Sequence, residues 1–332
     1  MRLLIVLPKQ QEATGNFVTA RRLRSGLQRL GLTVSLCAID LSESAILTST
    51  IDRFHPDQLL LLHAWRSGKP WLDSRRTVTC PATVLLTGTD INQGLDNPEQ
   101  NGVIQTVLQQ AAAIVSQNPI TVNTLRAGSS PWIERLHYIP AGVLLGQSAY
   151  PLRQRHQIPQ QCRLFLHPAG IRPVKANLEL LLLCDEIAQQ NPDFRLAFCG
   201  PNLDIDYFKK FRAALDQRPW AHYLGSIPPD AMPSALAEAD LILNHSRSEG
   251  VSNALLEAVA VGRPILARNI PGNAAILTTD ELYSSDQEFI DRARRFLLAP
   301  TLRAQAPATR RQTFSAVNEA EQFAALFYAL TP

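Results

Sequence analysis

The sequence predicts an α/β protein of two tandem Rossmann-like domains facing a cleft, on three observations. Its 332 residues exceed one typical domain. Short apolar runs alternate with amphipathic stretches in both halves. Those runs are apolar throughout rather than at every second residue, the pattern of parallel strands covered on both faces.

In the first half, "LLIVL" (3–7) reads as a strand, "NFVTARRLRSGLQRL" (16–30) as a helix and "TVSLCAI" (33–39) as the next strand. Phe17, Ala20, Leu23, Leu27 and Leu30 recur at helical spacing, with arginines on the other side. "QLLLLH" (58–63), "TVLLT" (83–87) and "AAIVS" (112–116) continue the strand series and complete a first domain of 1–150. The polar, proline-bearing stretch 151–161 reads as a linker. A second domain, 162–308, carries strand-like runs at "RLFLHP" (163–168), "RLAFCG" (195–200), "AHYLG" (221–225), "DLILNHS" (240–246) and "RPILAR" (263–268). The closing residues, 309–332, form one more helical region expected to pack back across the domains. A ligand is expected in the cleft, outside the carboxyl ends of the strands.

Composition removes several function classes. The net charge is only +3 and no basic run is interleaved with aromatics, which excludes nucleic acid as a partner. Cys37, Cys80, Cys162, Cys184 and Cys199 are scattered and form no C-x-x-C pair, as in a reduced, cytoplasmic protein. The apolar run in "MRLLIVLPK" is too short for a signal peptide, and no run approaches 18 residues. Neither first turn, "PKQQEATGN" or "PAGIRPVK", offers G-x-G-x-x-G, so a nicotinamide cofactor is not expected.

Two segments of the second half carry chemistry. In "HPAGIRPVKANLELLLL" (167–183) a strand ends, Gly170 marks a tight turn, and Arg172 and Lys175 precede a helix. Two cations there suit a diphosphate, arginine as a bidentate clamp and lysine as a point charge; the plainer reading is a solvated surface turn. In "NHSRSEGVSNALLEA" (244–258) a second helix is expected to start near Gly250, with the backbone N–H groups of Val251, Ser252 and Asn253 forming an anion site. Glu249 lies outside that helix and Glu257 lies roughly 12 Å further on if all is helical, at about 1.5 Å per residue. Such a pair could accept hydrogen bonds from the sugar and the ribose of a nucleotide sugar; alternatively it is a capping glutamate and a helix-face glutamate.

Glu249-x7-Glu257, with "GIRPVK", "LGSIPPDAMPSALAEADLILNHS" and "AVGRPILARNIPGN", resembles the retaining glycosyltransferases of GT-B fold, family 4. "ATGNFVTARRL", "LTGTDIN", "RPVK" and "LARNIPGNAA" are most similar to the glycosyltransferase 1 domain-containing protein 1 group, which shares segments with bacterial selenosugar synthases. The resemblance implies that Arg172 and Lys175 neutralise the leaving diphosphate, Glu249 touches the donor sugar, Glu257 binds the ribose, and Gly272 brings its loop against the donor. It implies a nucleotide diphosphate sugar as donor, a UDP-sugar first among them, and neither catalytic metal nor other cofactor. The sequence offers no convincing Asp-x-Asp, and "DIDYF" (204–208) reads as a helix start.

In the first half, Thr14, Gly15 and Asn16 open the first helix and are expected to border the donor, or simply to cap the helix. "LLTGTDIN" (85–92) runs a strand into Thr87, Gly88, Thr89 and Asp90, where many family-4 enzymes place a histidine. That departure makes the donor sugar uncertain and nominates Asp90 as a base or hydroxyl ligand. His63 and Arg66 end the neighbouring strand, either as structure or as an acceptor anion site. The expected activity is metal-independent, retaining sugar transfer to an unidentified acceptor. Selenophosphate as acceptor and a non-catalytic nucleotide-sugar-binding sensor or scaffold are the alternatives. Arg21, Arg22, Arg24 and Arg29 give the first helix a basic face, read as solvated in preference to membrane-bound.

Overall fold

The computed structural model describes residues 1–9, 15–74, 80–298 and 308–331. The chain divides into two compact units, Met1–Val143 with Gln312–Pro332, and Leu144–Arg311. The stretch 151–161 is not a free linker but part of the second unit. Its Arg153, 6% exposed, donates to the carbonyls of Glu238, Pro159 and Cys162 and to the Asp240 carboxylate.

The strands of the first unit are β1 (Arg2–Pro8), β2 (Thr33–Ile39), β3 (Gln58–Leu62), β4 (Ala82–Leu86), β5 (Ala113–Ser116) and β6 (Leu136–Tyr138). They form one parallel sheet in the order β2-β1-β3-β4-β5-β6. Side chains alternate between faces, and both faces are apolar. Leu4, Val6, Leu59, Leu61 and Val84 enter one core with Leu47, Trp71 and Ile104. Leu3, Ile5, Leu60, Leu62 and Leu85 enter the other, beneath the first helix (Gly15–Arg29) and the C-terminal helix (Ala316–Leu330).

Those two helices are locked by a buried ion pair. Arg22 donates to both carboxylate oxygens of Glu319 at 2.6 and 2.9 Å, and Gln117 adds a third donor at 2.5 Å. Buried charges persist only when paired in this way. Arg22, 4% exposed, is therefore not part of the basic face the sequence suggested. Among the described residues no helix is long and apolar enough to cross a membrane.

The second unit holds β7 (Arg163–Pro168), β8 (Phe194–Cys199), β9 (Ala221–Tyr223), β10 (Leu241–Asn244), β11 (Ile265–Arg268) and β12 (Leu282–Tyr283). They form a second parallel sheet in the order β12-β11-β10-β7-β8-β9. Phe165, Phe194, Phe198 and Phe211 pack edge-to-face at the centre of its core. In both sheets the strand order reverses beside the unit's first strand, between β1 and β3 and between β7 and β10. Connections leave such a point toward opposite faces, which opens a crevice outside the strands' carboxyl ends.

Candidate functional site

In the second unit the reversal lies where β7 ends in the Arg172–Lys175 turn and β10 ends in the Glu249 loop. Gly170 packs closely under Leu203, whose Cδ1 would lie 2.6 Å from a Cβ placed there and would have to shift. The Arg172 N–H bonds to Asn177 Oδ1 at 3.3 Å, and a short 3-10 turn, Pro173–Lys175, follows. The Arg247 N–H donates to the Val174 carbonyl at 2.8 Å, tying the loop after β10 directly to this turn.

Lys175 and Glu249 form an ion pair with Nζ 2.5 Å from Oε1, their side chains only 15% and 9% exposed. Ser246 Oγ at 2.7 Å and Asn244 Nδ2 at 3.3 Å donate to the same oxygen. Burial pushes the Glu249 carboxyl upward, but the charge of Lys175 and these hydrogen bonds outweigh it and hold it below the usual carboxylate range. Asn273, fully buried, braces Asn244 from behind, donating to Asn244 Oδ1 at 3.2 Å and to the Arg268 carbonyl at 2.9 Å.

The sequence misplaced the helix start. The helix runs Asn253–Ala260 with Ser252 as N-cap residue, so Gly250 and Val251 belong to the loop. Ser252 is held extended, and its Oγ accepts from Asn244 Nδ2 at 3.3 Å instead of capping. The helix amides at this end are therefore those of Asn253, Ala254 and Leu255. Glu257 is partly buried in the second turn, and the spacing from Glu249 is not that of a continuous helix. Its charge reaches the end of β8, where burial first and Glu257 second push the Cys199 thiol up to about 12.

Gly272 has a second role besides the one the resemblance implies. It is buried, and a Cβ there would lie 2.5 Å from both Cβ and O of Glu249. Its missing side chain makes room for Glu249 itself. Beyond it, His245 is 2% exposed between the Tyr283 hydroxyl at Nδ1 and Arg268 Nη2, 2.7 Å from Nε2. Burial, then the Arg268 charge, lower its pKa to about 3. Asn244, His245, Ser246 and Asn273 escaped the sequence reading; the signal for the first three was polar residues closing a buried apolar strand, and Asn273 lies in the short helix Pro271–Ala274 after β11.

In the first unit the reversal lies between β1 and β3. Gly15 and Asn16 begin the helix after β1; Thr14 lies outside the described residues. His63 follows β3, with Thr87, Gly88, Thr89 and Asp90 after the neighbouring β4. Asp90 is not placed to act as a base. It is fully buried, and its carboxylate accepts from the backbone N–H groups of Ala64, Thr87 and Gly88 at 2.9, 3.0 and 2.9 Å. It pins the ends of β3 and β4 to one another. His63, 4% exposed, accepts the N–H groups of Trp65 and Arg66 on Nδ1, both at 3.1 Å, and its Nε2 lies 3.1 Å from Thr89 Oγ1. Arg66 and Thr89 themselves are exposed.

Comparison with known proteins gives this arrangement its context. Residues 151–312 match the family model of glycosyl transferases group 1. The chain is 28% identical over 302 residues to glycosyltransferase 1 domain-containing protein 1 of Xenopus tropicalis, covering 87% of this chain and 86% of the relative. Sucrose-phosphate synthase from Thermosynechococcus elongatus superposes with a TM-score of 0.82 at 13% identity, over 99% of both chains. Anabaena HepE, solved in complex with UDP-glucose, gives 0.79 at 17% identity, over 98% of this chain and 99% of that one. Over residues 151–312 the chain is thus similar to glycosyl transferases group 1, its fold is GT-B, and these likenesses mark it as a glycosyltransferase.

Proposed function

We propose that the chain transfers a sugar from a nucleoside diphosphate sugar to its acceptor with retention of anomeric configuration and without a catalytic metal. The observation that carries the donor reading is the Lys175–Glu249 pair, set beside Arg172 at the carboxyl ends of β7 and β10. Arg172 and Lys175 take the diphosphate, with the amides of Asn253 to Leu255 as further donors. Lys175 is then shared between Glu249 and a phosphate oxygen, so the site holds its charge neutralised before the donor arrives. Glu249 binds the sugar and Glu257 the ribose. The bond from C1 to the β-phosphate oxygen breaks as the acceptor bonds to C1 on the same face, and the departing diphosphate takes the acceptor's proton where it carries one. The UDP-glucose held by HepE makes a UDP-sugar the first donor to try.

A second reading concerns the acceptor. Asp90 is saturated by backbone donors and His63 has both ring nitrogens engaged, so neither is placed to deprotonate a hydroxyl. No protein base is needed where the departing diphosphate takes the proton, and the feature that suits an anionic acceptor such as selenophosphate is the exposed Arg66 after β3. Calorimetry with UDP-, GDP- and ADP-sugars tests the donor reading. One nucleotide class should bind saturably, about tenfold or more weaker with Glu257→Ala, as for lost charged hydrogen bonds. Absence of binding by all three to folded protein would remove it. A β-linked product from an α-linked donor would remove retention, and absence of a selenium-containing product by mass spectrometry would remove selenophosphate.

A further inference from the structure

We propose that His63 is a positioning residue that fixes the Thr89 hydroxyl as a hydrogen-bond donor to an oxygen atom of the substrate. The inference rests on the nucleotide-sugar reading above. Its geometry stands on its own. Because two backbone N–H groups donate to His63 Nδ1, that nitrogen carries no proton. The ring is therefore the Nε2–H tautomer, and it donates to Thr89 Oγ1 at 3.1 Å. Thr89 spends an acceptor position on His63, and its own hydrogen is left to donate.

The protein invests in holding that geometry. His63 sits at φ +86°, a strained left-handed conformation for a side chain of its size. Asp90, fully buried, clamps Ala64 after β3 to Thr87 and Gly88 after β4, which sets the two partners' separation. Burial, with the Arg66 charge and against that of Asp90, keeps the imidazole below its ordinary pKa and neutral. A ring with both nitrogens engaged is no base. What this buried apparatus presents to solvent is one oriented hydroxyl, at the carboxyl ends of the strands beside the reversal of strand order. The group it fits is an oxygen with an open lone pair, on the donor's sugar or on the acceptor.

His63→Asn separates the roles. Asparagine tolerates left-handed backbone, and its side-chain oxygen can take the same two N–H groups, but it lacks the distal donor. Nitrogen-15 NMR of labelled histidine should show the Nε2–H tautomer, with the Nε2 proton shifting on Thr89→Val. An Nδ1–H ring would overturn the proposal without any substrate being needed. UDP binding should be unchanged in Thr89→Val, Thr89→Ser and His63→Asn. UDP-glucose binding, or the rate with selenophosphate as acceptor probe, should fall about five- to tenfold in Thr89→Val and His63→Asn and not in Thr89→Ser. A loss in UDP-glucose binding assigns the oxygen to the donor sugar, and a loss confined to the selenophosphate rate assigns it to the acceptor. The double variant should be no worse than Thr89→Val alone, because both act through one hydroxyl. Multiplying losses, or an unaffected Thr89→Val, would overturn it. Failure of wild type to bind UDP or UDP-glucose would instead count against the donor site, leaving the tautomer to decide here.

Discussion

Lys175 and Glu249 show how far one pair of side chains can be read from sequence. Their residue types and spacing nominated them, but their mutual contact comes from two loops 74 positions apart. Lys175→Met leaves Glu249 with Ser246 and Asn244 in a buried setting, and should destabilise the fold by about 3 kcal/mol. The pH dependence follows in sign. In the wild type the depressed Glu249 pKa contributes stability that is present above the unfolded value and lost as pH falls through the folded one. Without Lys175, burial, already the largest single influence, loses its main opponent, the carboxyl titrates higher, and stability should be lost at a higher pH. Urea unfolding of both proteins from pH 4 to 8 would show it; identical profiles would count against the pair. Asn244 and Asn273 were illegible for the same reason that Lys175 was only half legible: each matters through a partner far along the chain.

At the scale of elements, the long strands were legible because burial on both faces demands continuous apolar runs. β6 and β12, three and two residues long, are too short to leave such a run. The helix start at Asn253 was misread because the Asn244 side chain, supplied by another element, occupies Ser252 and holds the loop extended. Glycines are decided at this scale too. Gly26 lies inside the first helix, where alanine would ordinarily gain about 1 kcal/mol in helix propensity. A Cβ there would stand 2.7 Å from Ala320 Cβ on the C-terminal helix, so the contact wins over the propensity. Gly26→Ala should lower stability by about 1–3 kcal/mol, as overpacking does, and Ala320→Gly should recover part of it. Thermal melts of the single and double variants test this, and a raised melting temperature in Gly26→Ala would refute it.

For the molecule as a whole, buried histidines tie stability to pH. His167 and His245 have pKa values lowered to about 4 and about 3, chiefly by burial, against about 6.5 when unfolded. As pH falls below 6.5 the unfolded chain takes up protons that the folded chain does not. The stability they contribute is complete above that value and is lost progressively toward pH 4, at up to about 2.7 kcal/mol per pH unit for two sites. Denaturant titrations should show this slope, and His245→Gln with His167→Gln should flatten it; an unchanged slope would place the proton uptake elsewhere.

The sequence by itself determined the α/β class, the two sheets, the family resemblance, and the turn and loop that carry Arg172, Lys175, Glu249 and Glu257. Each of these is written in local patterns: apolar periodicity, a strand running into a tight turn, residue types at fixed spacing. Only the tertiary structure decided that Asp90 pins a backbone and is no base, that Gly272 makes room for Glu249, that Arg22 belongs to Glu319, and that His63 carries its proton on Nε2. These facts depend on which groups are buried together and on which donors meet which acceptors, and the chain brings those partners from distant positions only when it folds.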